Sequence, residues 1–340
     1  MAFGLRRAGE RPDVVVEYVR KPVGESLEGI RRPVYLDRRR VHLRESADVI
    51  QTERKLDALQ AEMLMRQIAA DPNVEYIEVD MEMHVLSTPT DDRYFEQWGL
   101  SGTYGVRADE AWEIAPSAGH GVVVAVIDTG IQEHDDLVVQ AGYDFVPKDK
   151  SGDGDGFDPN PRDEGYYCPG TIDTPCQGDC PIQASNPTGH GTLVTGIVAA
   201  RRNSIGIVGV AHNADVVPIR VINQCGKGNL SDVETAIAWA IGVPYDGHGN
   251  SNPATVINLS LGLSVTACPS SMQEAINEAV ARGVTVVVAS GNDGRKDYLE
   301  APASCASVVV VGATDKSGVR WEQSNYGNAV PLVAPGVQIL

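Results

Sequence analysis

The stretch Val122-Val-Val-Ala-Val-Ile-Asp128-Thr-Gly130 decides the fold. Six apolar residues run without a polar interruption and end on a carboxylate and a glycine turn. Such a continuous apolar run is typical of a strand that is buried on both faces of a parallel sheet. Asp128 then lies at the carboxyl end of its strand, which is the edge where open α/β sheets carry functional side chains.

Similar apolar runs recur downstream and alternate with segments of helical periodicity. Strands are predicted at residues 216–222, 255–259, 284–289 and 308–311, and helices at 190–200, 231–242 and 270–282. Alternation of this kind is typical of βαβ units. We therefore expect an α/β fold with an open, doubly wound, mostly parallel sheet.

The first part of the chain has a different pattern. Strands are predicted at residues 13–19 and 74–80, and a helix at residues 46–70 that Asp71-Pro72 ends. The polar segment at residues 86–93 is a predicted linker. We therefore expect a small α+β domain over residues 1–88, followed by the α/β domain over residues 89–340.

The chain is strongly acidic. Its 340 residues include 28 Lys and Arg against 46 Asp and Glu, which gives a formal net charge of −18. Because this charge repels phosphate, we expect no nucleic-acid partner. No apolar run approaches the roughly 20 residues that cross a bilayer, so we expect no membrane partner either.

None of the six Cys lies before Cys168, so all of them fall in the expected α/β domain. An even number favours disulfides and an oxidising compartment. Cys168, Cys176 and Cys180 could instead bind zinc, but the CxxC pairs typical of zinc sites are absent. The first residues contain no signal-peptide core, so either the protein stays inside the cell or its start lies upstream. The Cys residues favour the second alternative, a secreted or periplasmic protein.

A second short motif, Gly189-His190-Gly-Thr192, places an acid–base residue between two glycines at the start of a predicted helix. An isolated His in a loop is usually an ordinary surface residue. Asp128 changes this interpretation, because a carboxylate at a strand end can hold an imidazole in one tautomer. The order Asp and then His predicts a nucleophilic Ser further along the chain.

With several further blocks, the chain resembles the subtilisin-like serine peptidases, the subtilase family, of the secreted bacterial type. The resemblance extends from about Gln97 to Leu340. It includes Asn258-Leu-Ser-Leu-Gly262 and the blocks at residues 203–210, 221–228, 286–294, 311–314, 324–327 and 332–336. Residues 13–88 resemble the family's inhibitory propeptide, which would make residues 1–88 an intramolecular inhibitor.

The resemblance implies a role for three residues. Asp128 would orient the His, His190 would be the general base and later the general acid, and Asn292 would donate its amide to the oxyanion. No cofactor is implied for catalysis. We expect a serine-type endopeptidase that acts on peptide or protein substrates and is a monomer. Without the other blocks, Asn292 would be interpreted as part of an ordinary Asn-Asp-Gly turn.

Two glycine-containing segments resemble the backbone edges between which a subtilase holds its substrate as an added strand. They are Gly226-Lys227-Gly228 and Ser260-Leu261-Gly262. Glycine at such an edge lets the peptide approach the main chain closely. The alternative is that both segments are simply turns that follow strands.

The resemblance also implies a structural calcium site at Asp136 and Asn203, whose oxygens suit this cation. The alternative is two solvated polar residues. Residues 149–156 partly resemble an EF-hand loop, but Asn160 stands where that loop needs Glu. In the family pattern Cys268 would pair with Cys305, and Cys225 with one of Cys168, Cys176 or Cys180.

The family's nucleophile lies in a Gly-Thr-Ser-Met-Ala block after an Ala-Pro-Gly segment. Here Ala334-Pro335-Gly336 is followed by only four residues. We therefore expect the peptidase domain to be C-terminally incomplete, without the nucleophilic Ser, and nearly inactive. Ser260 and Ser290 occupy other positions of the family pattern and are not expected to replace it. The alternative is a non-catalytic, peptide-binding or inhibitory relative that has lost the Ser.

Overall fold

The computed structural model describes residues 15–20, 35–37, 47–51, 58–72, 74–79, 88–164 and 189–340. The chain divides into two compact units, Met1–Leu86 and Ser87–Leu340. The division lies two residues before the boundary predicted from the sequence. The roles expected for the two parts stay predictions.

The first unit contains a four-stranded antiparallel sheet and one helix. Strands β1 (Val15–Arg20), β2 (Tyr35–Asp37), β3 (Ala47–Gln51) and β4 (Val74–Val79) are arranged in the order β2-β3-β1-β4. Helix α1 (Ala58–Ala69) packs against β4 and buries Ala61 and Ile68. This architecture agrees with the expected α+β class.

The helix predicted at residues 46–70 is wrong over its first part. Residues Ala47–Gln51 are strand β3, in which Ile50 pairs with Val16 of β1. Pairing with a strand far away in sequence overrides a local helical pattern, because β-structure depends on its neighbours more than on intrinsic propensity. Residues 52–57 lie outside the described residues.

The second unit is built on a seven-stranded sheet in which every neighbouring pair of strands is parallel. Its order is β11 (Leu332–Pro335), β10 (Val309–Thr314), β9 (Thr285–Ala289), β8 (Val256–Leu259), β5 (Val123–Asp128), β7 (Asp215–Arg220) and β6 (Tyr143–Asp144). On one side of β5 the strands follow chain order outward from β8 to β11, and on the other side β7 lies between β5 and the edge strand β6. The expected open parallel sheet is confirmed.

Alternate residues of β5 contact helices on opposite faces of this sheet. Val124 and Val126 pack with Ala199 of helix α5 (His190–Ala199) on one face. Ala125 and Ile127 belong to the core on the other face, with residues of α6 (Leu230–Ala240) and α7 (Ser270–Ala281). Each fully buried Val or Ile contributes roughly 1.5–3 kcal/mol. Because both faces are covered, the sheet is doubly wound, as predicted.

The remaining described helices are short; three of them precede β5 in the chain and the fourth follows β6. They are a 3₁₀ turn at Tyr94–Glu96, α2 (Trp98–Ser101), α3 (Ala108–Ile114) and α4 (Lys148–Ser151). No helix among the described residues has the length and apolar character that crossing a bilayer requires.

A buried arginine anchors the start of the long segment at residues 147–188, called the insertion below, of which residues 147–164 are described. Arg220, at the end of β7, is 1% exposed. Its Nη1 donates to Asp144 Oδ2 and to Asp153 Oδ2, each at 2.6 Å, and its Nη2 donates to the carbonyl of Ser151. Burial raises the pKa of Asp144 to about 7, although Arg220 acts in the opposite direction. In the sheet register Arg220 lies beside Asp128, so the insertion is fixed next to that residue.

The Cys268–Cys305 disulfide expected from the sequence is present, with Cα atoms 4.9 Å apart. It joins the segment before α7 to the segment before β10. Cys225 is also disulfide-bonded. Its candidate partners Cys168, Cys176 and Cys180 lie outside the described residues.

Candidate active site

Asp128 and His190 form a direct hydrogen-bonded pair. Nδ1 of His190 lies 2.7 Å from Oδ1 and 2.9 Å from Oδ2 of Asp128. The Asp128 side chain is 3% exposed and that of His190 48%. The carboxylate is therefore buried behind the ring, and the opposite edge of the ring, with Nε2, faces away from Asp128.

Glycines allow this close approach. A Cβ atom on Gly191 would lie 2.3 Å from the carbonyl oxygen of Gly130 and 3.2 Å from Cβ of Asp128. Gly130 has φ of +98° and Gly189, the residue before the helix, has φ of +51°. Both values lie in the left-handed region that glycine adopts without strain. The glycine frame in the sequence thus allows the first turn of α5 to pack against the turn after β5.

Side chains beyond the motif hold the pair in place. The Thr129 amide donates to Asp128 Oδ1 at 2.7 Å. The Thr129 hydroxyl donates to Asp163 Oδ2 at 2.7 Å and accepts from the Gly191 amide at 3.0 Å. Thr129 therefore links the strand end, the helix start and the insertion. Sequence reasoning missed Asp163, because nothing in the insertion distinguishes this carboxylate from its neighbours.

The hydrogen bond to Asp128 raises the pKa of His190 above its ordinary value, while partial burial acts in the opposite direction. A carboxylate that faces Nδ1 stabilises the imidazolium and leaves Nε2 free to exchange protons. The pair can therefore take up a proton at Nε2 and release it again. This chemistry is general acid–base catalysis.

Asn292 lies in the loop that follows β9, and its side chain is exposed. Strands β9, β8 and β5 are neighbours in a parallel sheet, so their carboxyl ends share one edge. Asn292 and Asp128 are thus on the same edge, with β8 between them. The role of Asn292 stays a prediction.

The two predicted substrate edges flank β5. Gly226-Lys227-Gly228 follows β7 in an exposed turn, which Asn223 closes by accepting from the Cys225 and Lys227 amides at 2.9 and 3.1 Å. A cavity of about 220 Å³ lies beside this turn, with Val146, Lys150 and Asp232 in its wall.

Ser260-Leu261-Gly262 follows β8 on the other side of β5. The next residue, Leu263, donates its amide to the Ala301 carbonyl at 2.7 Å. Both segments lie beside the Asp128 strand end, although each is also a turn after a strand. Their role in binding a peptide stays a prediction.

A model of the subtilase family matches residues 119–339, which is more than half of the chain. The chain belongs to the subtilase family. All of the described site residues discussed above lie within the matched region.

Named relatives of this subtilase chain are proteases. The extracellular protease of Xanthomonas campestris is 46% identical over 301 residues, which are 86% of this chain and 50% of the relative. The extracellular basic protease of Dichelobacter nodosus is 40% identical over 83% of this chain and 47% of the relative. The chain spans about half the length of these curated relatives.

A solved structure of a protease from Pseudoalteromonas arctica has the same fold. It matches with a TM-score of 0.67 and 41% identity, over 74% of this chain and 73% of that structure. Fold and sequence similarity therefore agree for the subtilase chain.

The predicted metal residues Asp136 and Asn203 are in contact in the subtilase unit. Asn203 Nδ2 donates to Asp136 Oδ1 at 3.0 Å, and the Ile207 amide donates to Oδ2 at 3.2 Å. Burial raises the pKa of Asp136, and the nearby charge of Asp91 acts in the same direction. Two carboxylates, each 2% exposed, thus lie close together.

Asp91 is a further residue of this cluster that sequence reasoning missed, because it lies in the predicted linker. Its Oδ1 accepts from the Asn203 amide at 3.0 Å, while its buried Oδ2 has no hydrogen-bond partner in the described part of the chain. Among the described residues no group of three or more His, Cys, Asp or Glu side chains is arranged for a metal. The oxygens available are those of the two carboxylates and Asn203 Oδ1, which here accepts from the Ile205 backbone amide at 2.8 Å. Oxygen ligands of this kind suit a hard cation such as calcium.

The loop that partly resembles an EF-hand is arranged differently. Asp153, one of its carboxylates, is paired with the buried Arg220 at 2.6 Å. A guanidinium in this position competes with a cation for the same oxygen. We therefore do not include residues 149–156 in the candidate metal site.

The Asp128–His190 bond predicts a pKa difference that can be measured directly. Because the Asp128 carboxylate raises the pKa of His190, Asp128→Asn should lower it. Because the pKa of His190 is higher in the folded chain than in the unfolded one, its protonation stabilises the fold. This contribution is complete below the unfolded-state pKa of about 6.5 and is lost as the pH rises through the folded-state pKa. The measurement is an NMR titration of ¹³C-labelled His190 in the 340-residue chain.

The matched control is Asp135→Asn, which removes an exposed carboxylate nearby in sequence. This variant should leave the His190 titration unchanged. An equal pKa in the wild-type and Asp128→Asn chains would show that the pair does not govern the protonation of His190.

Proposed function

We propose that this chain carries the acid–base and oxyanion-stabilising parts of a serine endopeptidase that is secreted and hydrolyses peptide bonds in proteins. The Asp128–His190 bond at the carboxyl edge of the sheet is the observation that carries the proposal. Relatives named as extracellular proteases support it. A binding module would have no use for a buried carboxylate that raises the pKa of a half-exposed His.

In the proposed reaction, His190 Nε2 removes the proton from a serine hydroxyl as that oxygen bonds to the scissile carbonyl carbon. Asp128 holds the ring with Nδ1 protonated and stabilises the imidazolium. His190 then gives the proton to the leaving amine, and the carbon–nitrogen bond breaks. A water molecule, activated in the same way, hydrolyses the acyl-enzyme.

Asn292 is proposed to donate its amide hydrogen to the oxyanion of the tetrahedral intermediate. In subtilisin itself, loss of the corresponding donor lowers kcat about 10²–10³-fold. The peptide would lie as an added strand between Gly226-Lys227-Gly228 and Ser260-Leu261-Gly262, where main-chain bonds supply affinity independent of side chains.

We further propose that the serine is not among the 340 residues. Ser290 is 3% exposed, and its hydroxyl bonds to the Gly291 carbonyl and approaches Ser324. Ser260 accepts from Asn258 Nδ2 at 3.0 Å. Among the described residues, neither hydroxyl is hydrogen-bonded to His190. This supports the proposal that neither Ser260 nor Ser290 is the nucleophile.

The activity test joins Leu340 to a segment that carries the family's Gly-Thr-Ser-Met-Ala block. This extended chain should hydrolyse casein and a chromogenic peptide. His190→Ala should lower kcat about 10⁶-fold, the scale known for subtilisin, because the serine loses its base. Asn292→Ala should lower kcat about 10²–10³-fold with little change in KM. The measurement is steady-state kinetics on the peptide.

His120→Ala, at an exposed His of the same unit, is the matched control and should retain wild-type kinetics. Retained activity in His190→Ala would contradict the proposed base. The 340-residue chain alone should not react with a fluorophosphonate probe, and covalent labelling would show that it contains a nucleophilic serine after all.

We also propose that residues 1–88 are an inhibitory propeptide of a monomeric enzyme. Its compact unit with a four-stranded sheet supports this role, since an independently folded inhibitor needs a core of its own. The active extended chain should release an N-terminal fragment by cleavage near Leu86–Thr88, and the His190→Ala version should not. Mass spectrometry of the products identifies the site, and an active chain that stays intact would refute the propeptide assignment.

Calcium is proposed as a structural ion held by Asp136, Asn203 and Asp91. The unpartnered Asp91 Oδ2 supports a cation there, in a site where burial and the nearby charge of Asp91 raise the pKa of Asp136. The ion would neutralise this charge and tie the linker to the loop after α5. It takes no part in the catalytic steps.

Calcium should therefore raise the Tm of the chain relative to chelator. At a hundredfold excess over Kd the expected gain is about 2.7 kcal/mol. Asp91→Ala and Asp136→Ala should abolish the shift in scanning calorimetry, whereas Asp135→Ala, at an exposed carboxylate, should retain it. An equal calcium-dependent shift in Asp136→Ala would remove this site from consideration.

A further inference from the structure

The loop that carries Asn292 is wrapped around one buried amide side chain, that of Asn325. Asn325 Oδ1 accepts from the backbone amides of Asp293 and Arg295, at 3.1 and 3.0 Å. Its Nδ2 donates to the Ser290 carbonyl at 3.1 Å and to Asp293 Oδ2 at 3.2 Å. Four hydrogen bonds therefore join a single side chain to residues on both sides of Asn292.

These bonds use the full capacity of an amide, which has two acceptor lone pairs and two donor hydrogens. Asn325 is 1% exposed, so water does not compete for them. An Asp in this position would keep the acceptor oxygen but lose both donors. An apolar residue would remove the partners of two loop amides and of the buried Ser290 carbonyl, and the unpaired carbonyl costs free energy.

The loop also closes tightly over this side chain. Gly291 has φ of +93°, and a Cβ atom on it would lie 2.6 Å from Asn325 Nδ2. The backbone amide of Asn325 donates in turn to the Gly291 carbonyl at 3.0 Å. The path of residues 290–295 is thus set by contact with Asn325 on the inner side of the loop.

Asn325 is itself held by the sheet and by its own segment. The neighbouring Ser324 hydroxyl accepts from the Ala313 amide of β10 at 2.9 Å. Arg320 Nη1 donates to the carbonyls of Trp321, Glu322 and Ser324. Asn325, which we call the clamp because it holds the loop at residues 290–295, is therefore fixed to strand β10 of the sheet.

Asn292 has no such support of its own. Its side chain is exposed and forms no hydrogen bond within the described residues. Its direction then follows from the backbone of residues 290–295. We propose that Asn325 is a positioning residue that acts through this backbone to aim the Asn292 amide at the oxyanion.

The inference rests on the proposed peptidase function, which assigns the oxyanion to Asn292. A displacement of about 1 Å in a catalytic group can cost about 10²-fold in rate. Loss of Asn325 should therefore lower kcat by about that factor without a matching change in KM, because the oxyanion exists only in the transition state.

The first experiment measures the clamp in the 340-residue chain, without any need for activity. Hydrogen–deuterium exchange at the Asp293 and Arg295 amides should accelerate at least tenfold in Asn325→Ala, while exchange in β5 stays as in wild type. Asn328→Ala is the matched control, since Asn328 is exposed and lies in the same segment. Unchanged exchange at Asp293 and Arg295 would overturn the clamp.

The second experiment is a double-mutant cycle in the active extended chain. Asn325→Ala should lower kcat about 10²-fold in the wild-type background and less than threefold when Asn292→Ala is already present. A residue that only stabilises the fold would cost the same factor in both backgrounds, and that result would overturn the proposal.

Asn325→Ser covers the case in which Asn325→Ala does not fold. Its hydroxyl can still form one hydrogen bond with the loop and places no charge beside Asp293, so it should show the same dependence on Asn292 with a smaller loss of kcat. If the extended chain were inactive, the peptidase proposal would fail, while the exchange measurement would still decide whether Asn325 holds the loop.

Discussion

The close packing of the first turn of α5 against the turn after β5 is the constraint on which the rest of the site depends. A Cβ atom at position 191 would lie 2.3 Å from the Gly130 carbonyl oxygen. The helix can therefore come this close to the turn only with glycine at that position. The same helix buries Ala199 against Val124 and Val126 of the sheet. The Asp128–His190 distance and one face of the core are thus set by a single packing arrangement. A shift of α5 would alter both together.

The parallel sheet converts this local contact into a larger site. The order β9-β8-β5-β7 brings together four strand ends that are far apart in sequence. Apolar residues cover both faces of the central strands β5 and β7, and their burial stabilises the sheet. Polar side chains and backbone groups are carried by the loops at one edge of the sheet, where they can contact a ligand. A rigid core and exposed strand ends are therefore two consequences of the same topology.

The sequence predicted the elements whose signals are local. The apolar runs of β5 and β7–β10 and the motifs of Asp128 and His190 fall in this class. Strands β2 and β6 were missed because three and two residues are too few for a pattern, and β11 because its four residues include a proline, which argues against a strand. Strand β3 was predicted as helix because its pairing with β1 is not local. Asp163 and Asn325 were given no role, since each acts on a loop far from it in the chain and only the fold brings the two together.

Three buried acidic groups in this unit are compensated in three different ways. Asp144 faces the permanent charge of Arg220, which cannot release a proton and so makes a fixed anchor for the insertion. Asp128 faces His190, whose charge depends on a proton that the ring can gain or lose, so the compensation itself can be moved. Asp91 and Asp136 face mainly amides, which leave their negative charge in place and one oxygen without a donor. A fixed cation, a titratable one and no cation at all correspond to an anchor, the proposed acid–base pair and the proposed calcium site. The charge of the partner, more than the burial of the carboxylate, therefore indicates what each group is for.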